Sequence, residues 1–232
     1  MGLFGYKNNN KEFIAIESFC KQIDSLFSHD KFISRKDYIS FYNETIEIYK
    51  ELVLMEEKSI LKEWCKKNDI DYKLLKKYLD KFAGTGALVK EHNNNFIEKH
   101  LKTDKRYLDE ILLKDDPNII LDEEQRKVVL SDEDYTLVIA GAGSGKTTTI
   151  EAKVKYLVEK QNVDADKILI VSFTKKATEE LKERFKRLEL DVKIATFHSI
   201  GNKIIKENEP VRHRIVSTGY MYDKIREQTF GG

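Results

Sequence analysis

The run Ala140-Gly141-Ala142-Gly143-Ser144-Gly145-Lys146-Thr147 collects the residue types that handle phosphate. Glycines let a backbone curl tightly and turn successive N–H groups toward phosphate oxygens. A helix starting behind them adds its unpaired amides and the positive end of its dipole. At this spacing Lys146 reaches the β- and γ-phosphates, and the Thr147 hydroxyl is placed to ligate Mg²⁺. Ala140 stands where the general pattern has glycine. The competing reading is a glycine-rich turn followed by a chance Gly-Lys-Thr. The β-leaning run in front, Thr136-Leu137-Val138-Ile139-Ala140, favours a nucleoside triphosphate site, with Lys146 and Thr147 its catalytic side chains and Thr148 next along the helix.

Such a loop needs a strand to feed it and a sheet to hold that strand. Lys167 to Phe173 reads as a second buried strand, Asp191 to Ala195 as a third, and helical patterns follow the first two. Continuous apolar strands alternating with helices predict a parallel sheet with helices packed on its faces. Ligands of such sheets lie beyond the carboxyl ends of the strands.

The first half has helical periodicity instead. Stripes run through Phe13, Ile14, Ile16, Phe19, Ile23, Leu26 and Phe27, then Ile39, Tyr42, Ile46, Tyr49 and Val53. Two more pass through Ile60, Leu61 and Trp64, and through Leu74, Leu75, Tyr78, Leu79 and Phe82. Asn68-Asp69 separates that pair, and Ala83-Gly84-Thr85-Gly86 ends the second. Asn93-Asn94-Asn95 reads as a solvated turn before a last stripe through Ile97, Leu101, Tyr107, Leu108 and Leu112. Asp115-Asp116-Pro117 punctuates the chain, because the residue before proline resists helix. The expected organisation is an all-α accessory domain over 1–116 and an incomplete α/β P-loop domain over 117–232.

Charged residues make up 35 % of the 232 and the net charge is +1. That excludes a globally cationic protein but leaves room for a local basic groove. No apolar run approaches the roughly twenty residues of a membrane span, and the start lacks a secretory pattern. A cytoplasmic protein is expected. Cys20 and Cys65 are too few for a four-ligand zinc site and read as small buried residues.

Alanine-first, the phosphate loop resembles that of superfamily 1 DNA helicases of the UvrD/Rep/PcrA group. Leu121-Asp122-Glu123-Glu124-Gln125-Arg126 is similar to that family's Q motif, which implies a Gln125 that reads the adenine edge. Ser172-Phe173-Thr174-Lys175-Lys176-Ala177 resembles motif Ia, and Ala195-Thr196-Phe197-His198-Ser199 resembles motif Ib. The stretch from Ile204 to Ser217 looks more like helicase IV than like UvrD. The resemblance covers about residues 119 to 217. It implies a RecA-like fold, ATP and Mg²⁺ as cofactors, single-stranded and duplex DNA as partners, and 3′-to-5′ translocation in DNA repair or recombination. Oligomeric state is not implied.

By residue type, Phe173 and Phe197 offer stacking faces to unpaired bases, and Thr174, Lys176, Thr196 and His198 offer contacts to phosphate. Core packing for the two aromatics, a solvated face for Lys176 and a structural role for His198 are the alternatives. Lys66, Lys67, Lys73, Lys76 and Lys77 fit either a DNA-binding helix-turn-helix or a solvated lysine face. The family's hydrolysis also needs an Asp-Glu-x-x-Asp block, which these 232 residues lack after motif Ib, and arginines from a second motor domain. The chain is therefore expected to bind nucleotide, and single strands weakly, without unwinding. Rival readings are a non-catalytic nucleotide- or DNA-binding adaptor and a small-molecule P-loop kinase.

Overall fold

The computed structural model describes residues 11–208, in two compact units that divide between Gln161 and Asn162. The first unit is helical. Helices α1 (Lys11–Leu26), α2 (Arg35–Glu57), α3 (Leu61–Lys67) and α4 (Tyr72–Ala83) bury one core between them. Its centre is Phe82, ringed by Phe19, Phe41, Tyr42 and Tyr49 with centroids 4.5 to 5.9 Å away. Both cysteines lie in this core. Burial, and secondarily the neighbouring acids, pushes the Cys20 thiol up to about 12 and the Cys65 thiol up to about 11. Neither forms thiolate at neutral pH, as small buried residues would not.

Two expectations change here. On α2 the buried residues are Phe41, Thr45 and Leu52, while Ile39 and Tyr42 of the expected stripe are exposed. That helix carries apolar residues on more than one side, and packing against α1 and α4 selects the side. The Asn93 segment is not a turn: α5 runs unbroken from Thr85 to Thr103, beginning directly behind α4. Asn93 is buried there, its Oδ1 accepting from Ile33 N and its Nδ2 donating to Ile33 O, both at 2.9 Å. A buried amide paired at both ends has no reason to leave a helix.

The chain continues through α6 (Lys105–Glu110), α7 (Glu123–Leu130) and α8 (Lys146–Glu159). Asp122 and Gln125 form a reciprocal capping box at the start of α7. Helix α8 packs on α7, and α7 on α5. The acidic run before the phosphate loop has a structural use. Glu133 accepts from Arg35 N at 3.1 Å and Asp134 from Lys36 N at 2.5 Å, so their carboxylates cap the positive end of α2.

In the second unit β1 (Leu169–Ser172) pairs in parallel with β2 (Lys193–Thr196), Leu169 opposite Lys193 and Ser172 opposite Thr196. Helix α9 (Lys175–Arg187) crosses over between them, and α10 (Phe197–Asn208) follows β2 at once. Thr178, Leu181 and Phe185 bury the inner face of α9.

The strand expected over Thr136–Ala140 has no ladder partner among the described residues, and the sheet there has two strands, not three. Leu137 and Ile139 are 85 % and 89 % exposed. A strand exists only where a neighbour takes its N–H and C=O groups. The described protein is thus helical with a small parallel sheet. No helix among the described residues is long and apolar enough to cross a membrane.

Candidate functional site

Helix α8 begins at Lys146, and Gly145 caps it in the left-handed region at φ 80°. Gly143 is also left-handed, at φ 75°. These two positions bend the loop, and a side chain at either would be strained. At Gly145 a Cβ would also lie 2.5 Å from Gln125 Nε2. Ser144 Oγ donates to Gly141 O at 2.8 Å and stiffens the curl. The Lys146 ammonium lies over the loop, donating to the carbonyls of Ala140 at 3.0 Å and Gly141 at 2.5 Å. Thr147 and Thr148 are half-buried on the first turn of α8. A tight curl ending at a helix start, with an exposed ammonium held above it, fits a phosphate chain. A hydroxyl at Thr147 fits one oxygen ligand of Mg²⁺.

Gln125 approaches this loop from α7. Its Oε1 accepts from Asp122 N at 2.9 Å and its Nε2 donates to Ser144 O at 3.3 Å. A glutamine amide has two N–H groups and two lone pairs. One of each therefore stays available. Next to it, the Arg126 guanidinium donates to Leu121 O at 2.8 Å and pairs with Asp109 of α6 at 2.6 Å. At the other end of α7, Lys153 of α8 donates to the carbonyls of Val129 and Ser131. Burial pulls the Lys153 ammonium below the ordinary lysine value of 10.5.

Sequence reasoning passed over Lys153, placed Arg126 in the run resembling the Q motif without giving it a role, and set Asp132-Glu133-Asp134 aside as lying before the phosphate loop. For Lys153 a signal existed, since it stands two helical turns beyond Lys146 on the same side of α8. For Arg126 and the acids there was none, because their partners lie far away in sequence.

In the second unit the parallel pairing brings the ends of β1 and β2 to one edge, and the first turns of α9 and α10 with them. Thr174 Oγ1 accepts from Ala177 N at 3.1 Å, and Thr196 Oγ1 from Ser199 N at 3.2 Å. Each hydroxyl caps a helix and keeps its own hydrogen to donate. Phe173 and Phe197 are 81 % and 73 % exposed, so neither packs into the core of this unit. The Phe173 and His198 rings meet edge-on at 6.5 Å, and Lys176 is exposed on the first turn of α9.

Residues 121–230 match the UvrD/REP helicase N-terminal domain. This part of the chain is similar to the UvrD/REP helicases. Among curated relatives, a probable DNA helicase II homolog of Mycoplasma capricolum is 43 % identical over 91 residues, which is 38 % of this chain and 13 % of the relative. The ATP-dependent DNA helicase UvrD1 of Mycobacterium leprae is 34 % identical over 108 residues, 44 % of this chain and 14 % of the relative. The ATP-dependent DNA helicase PcrA of Staphylococcus aureus is 35 % identical over 92 residues, 38 % and 13 % respectively. The match to the UvrD/REP helicases starts at Leu121, just behind Pro117. The stretch that resembles helicase IV lies largely outside the described residues, which end at Asn208.

Proposed function

We propose that this chain carries the ATP-binding portion of a DNA helicase motor, with ATP·Mg²⁺ held by residues 140–148 and Gln125. The observation that carries the reading is the left-handed loop at Gly143 and Gly145, with Lys146 above it and Gln125 against it. Lys146 exchanges its two carbonyl partners for β- and γ-phosphate oxygens. The loop N–H groups and the start of α8 cradle the remaining phosphate charge. Gln125 offers adenine its free N–H and lone pair, matching the acceptor and donor of that base edge. The Thr147 hydroxyl would hold Mg²⁺, and the ion would supply neutralisation of the phosphate charge.

The domain over 117–232 is part of a RecA-like parallel α/β fold, and 1–116 is its helical accessory domain. Phe173, Thr174, Lys176, Thr196, Phe197 and His198 are the contacts to single-stranded DNA. The names of the relatives support ATP-dependent DNA helicase activity for the whole protein, and the resemblance of its motifs adds 3′-to-5′ translocation, unwinding and a role in DNA repair or recombination. It acts in the cytoplasm, on single-stranded and duplex DNA. The 232 residues alone bind nucleotide, and single strands weakly, without unwinding.

The test is thermal unfolding with and without ATP·Mg²⁺. Ligand at a hundredfold excess over Kd stabilises the native state by about 2.7 kcal/mol. The Tm rise is expected for wild type and not for Lys146→Ala. No rise in wild type, or an equal rise in the variant, overturns the assignment.

A further inference from the structure

We propose that Asp109, in the helical half of the chain, is a positioning residue for base selectivity, acting through Arg126 on Gln125. The inference rests on the nucleotide reading of the loop and deepens it.

The base-reading amide is one residue from the Arg126 guanidinium, on the first turn of α7. The Arg126 side chain is 13 % exposed, and its guanidinium joins two elements. It donates to the carbonyl of Leu121, immediately before the cap of α7, and to the carboxylate of Asp109 on α6. Lys105 donates to the other Asp109 oxygen at 2.6 Å, and with Arg126 it holds the carboxyl below the usual carboxylate range. Asp109 is thus charged and engaged through both oxygens. A planar fork fixed at two points defines the rotation of the turn it belongs to.

Gln125 sits on that turn, so its aim follows the turn's rotation. Its Nε2 reaches Ser144 O at 3.3 Å, already near the limit of a hydrogen bond. A small turn of the α7 start breaks that contact and re-aims the free N–H and lone pair. The far end of α7 is secured separately by Lys153. Loss of the Asp109 contact therefore loosens the first turn, which keeps its capping box and the Arg126 bond to Leu121 O, without detaching the helix. Phosphate contacts come from residues 140–148 and are left intact. The predicted signature is loss of adenine preference with phosphate affinity retained.

The experiment measures Mg²⁺-dependent affinity of the whole 232-residue chain for ATP, GTP and inorganic tripolyphosphate. Wild type is expected to prefer ATP over GTP. Asp109→Asn keeps the shape and removes the charge, and should shrink that preference by about tenfold, one hydrogen bond's share of affinity. Tripolyphosphate affinity should not move. Asp109→Glu should restore part of the preference, which a purely structural role would not require. Should Asp109→Asn fail to fold, Arg126→Lys keeps the charge, loses the fork and carries the same expectation. An ATP-to-GTP ratio unchanged in a folded variant overturns the proposal, as does an equal loss for all three ligands. A wild type that binds none of the three overturns the nucleotide reading itself. A wild type that binds tripolyphosphate but shows no base preference overturns only the role given to Gln125 and Asp109.

Discussion

The Asn93 amide closes a two-point clasp on the backbone of Ile33, sixty residues away, and both groups of Ile33 are buried. Replacing it with leucine fills the space but leaves an N–H and a C=O without partners. The expected cost is about 2–6 kcal/mol, at one unmade bond for each of the two groups. Asn93→Asp keeps the acceptor but sets a buried carboxylate oxygen against the Ile33 carbonyl, so at neutral pH it should cost at least as much. Urea unfolding at constant slope measures both. A loss for Asn93→Leu within the roughly 0.5 kcal/mol of an ordinary surface change would refute the clasp. The same logic of distant partners applies to Glu133 and Asp134, whose carboxylates look like a candidate metal or catalytic pair in isolation. In the structure they cap α2.

At the scale of elements, the parallel register of β1 and β2 decides what α9 and α10 can do together. Their first turns come off adjacent strands at the same sheet edge, so Phe173, Lys176, Phe197 and His198 share one rim of the second unit. Exposed aromatics stack on any base, and stacking is worth about 1–3 kcal/mol per base. Phe197→Ala should therefore weaken binding of a short labelled single strand regardless of its sequence. Lys176→Ala should instead lower the salt dependence by about one phosphate's share. Fluorescence anisotropy across a salt series separates the two effects. If wild type binds and both variants follow it at every salt concentration, the strand lies elsewhere. The lysines of α3 and α4 would then be the better candidate surface.

For the molecule as a whole, the first unit joins the helical half to the elements around the phosphate loop. Asp109 reaches Arg126, Glu133 and Asp134 reach α2, and Tyr107 donates to Glu159 at the end of α8. On the proposed reading these residues bind nucleotide, whereas turnover in the family they resemble also calls on an Asp-Glu-x-x-Asp block. No Asp-Glu-x-x-Asp block follows His198 to orient an attacking water. Steady-state phosphate release by this chain should stay at background even with saturating single-stranded DNA. A rate near the roughly 1 s⁻¹ or more of working enzymes would show that another acid does this work.

The glycine loop, the start of α8 at Lys146 and most helices of the first half were legible in the residues alone. A helix or a tight turn satisfies its backbone within its own segment, so local chemistry announces it. The crossover from β1 through α9 to β2 was legible for a related reason, since apolar strands flanking a helical pattern leave few ways to pair. Tertiary structure alone decided which side of α2 is buried, that Asn93 belongs inside a helix, and that the acids before the loop serve a distant helix end. It also left Thr136–Ala140 without a ladder, although its composition is that of a strand. Strands, buried amides and helix caps of this kind depend on groups tens of residues away. Only the packing of elements determines whether such groups arrive.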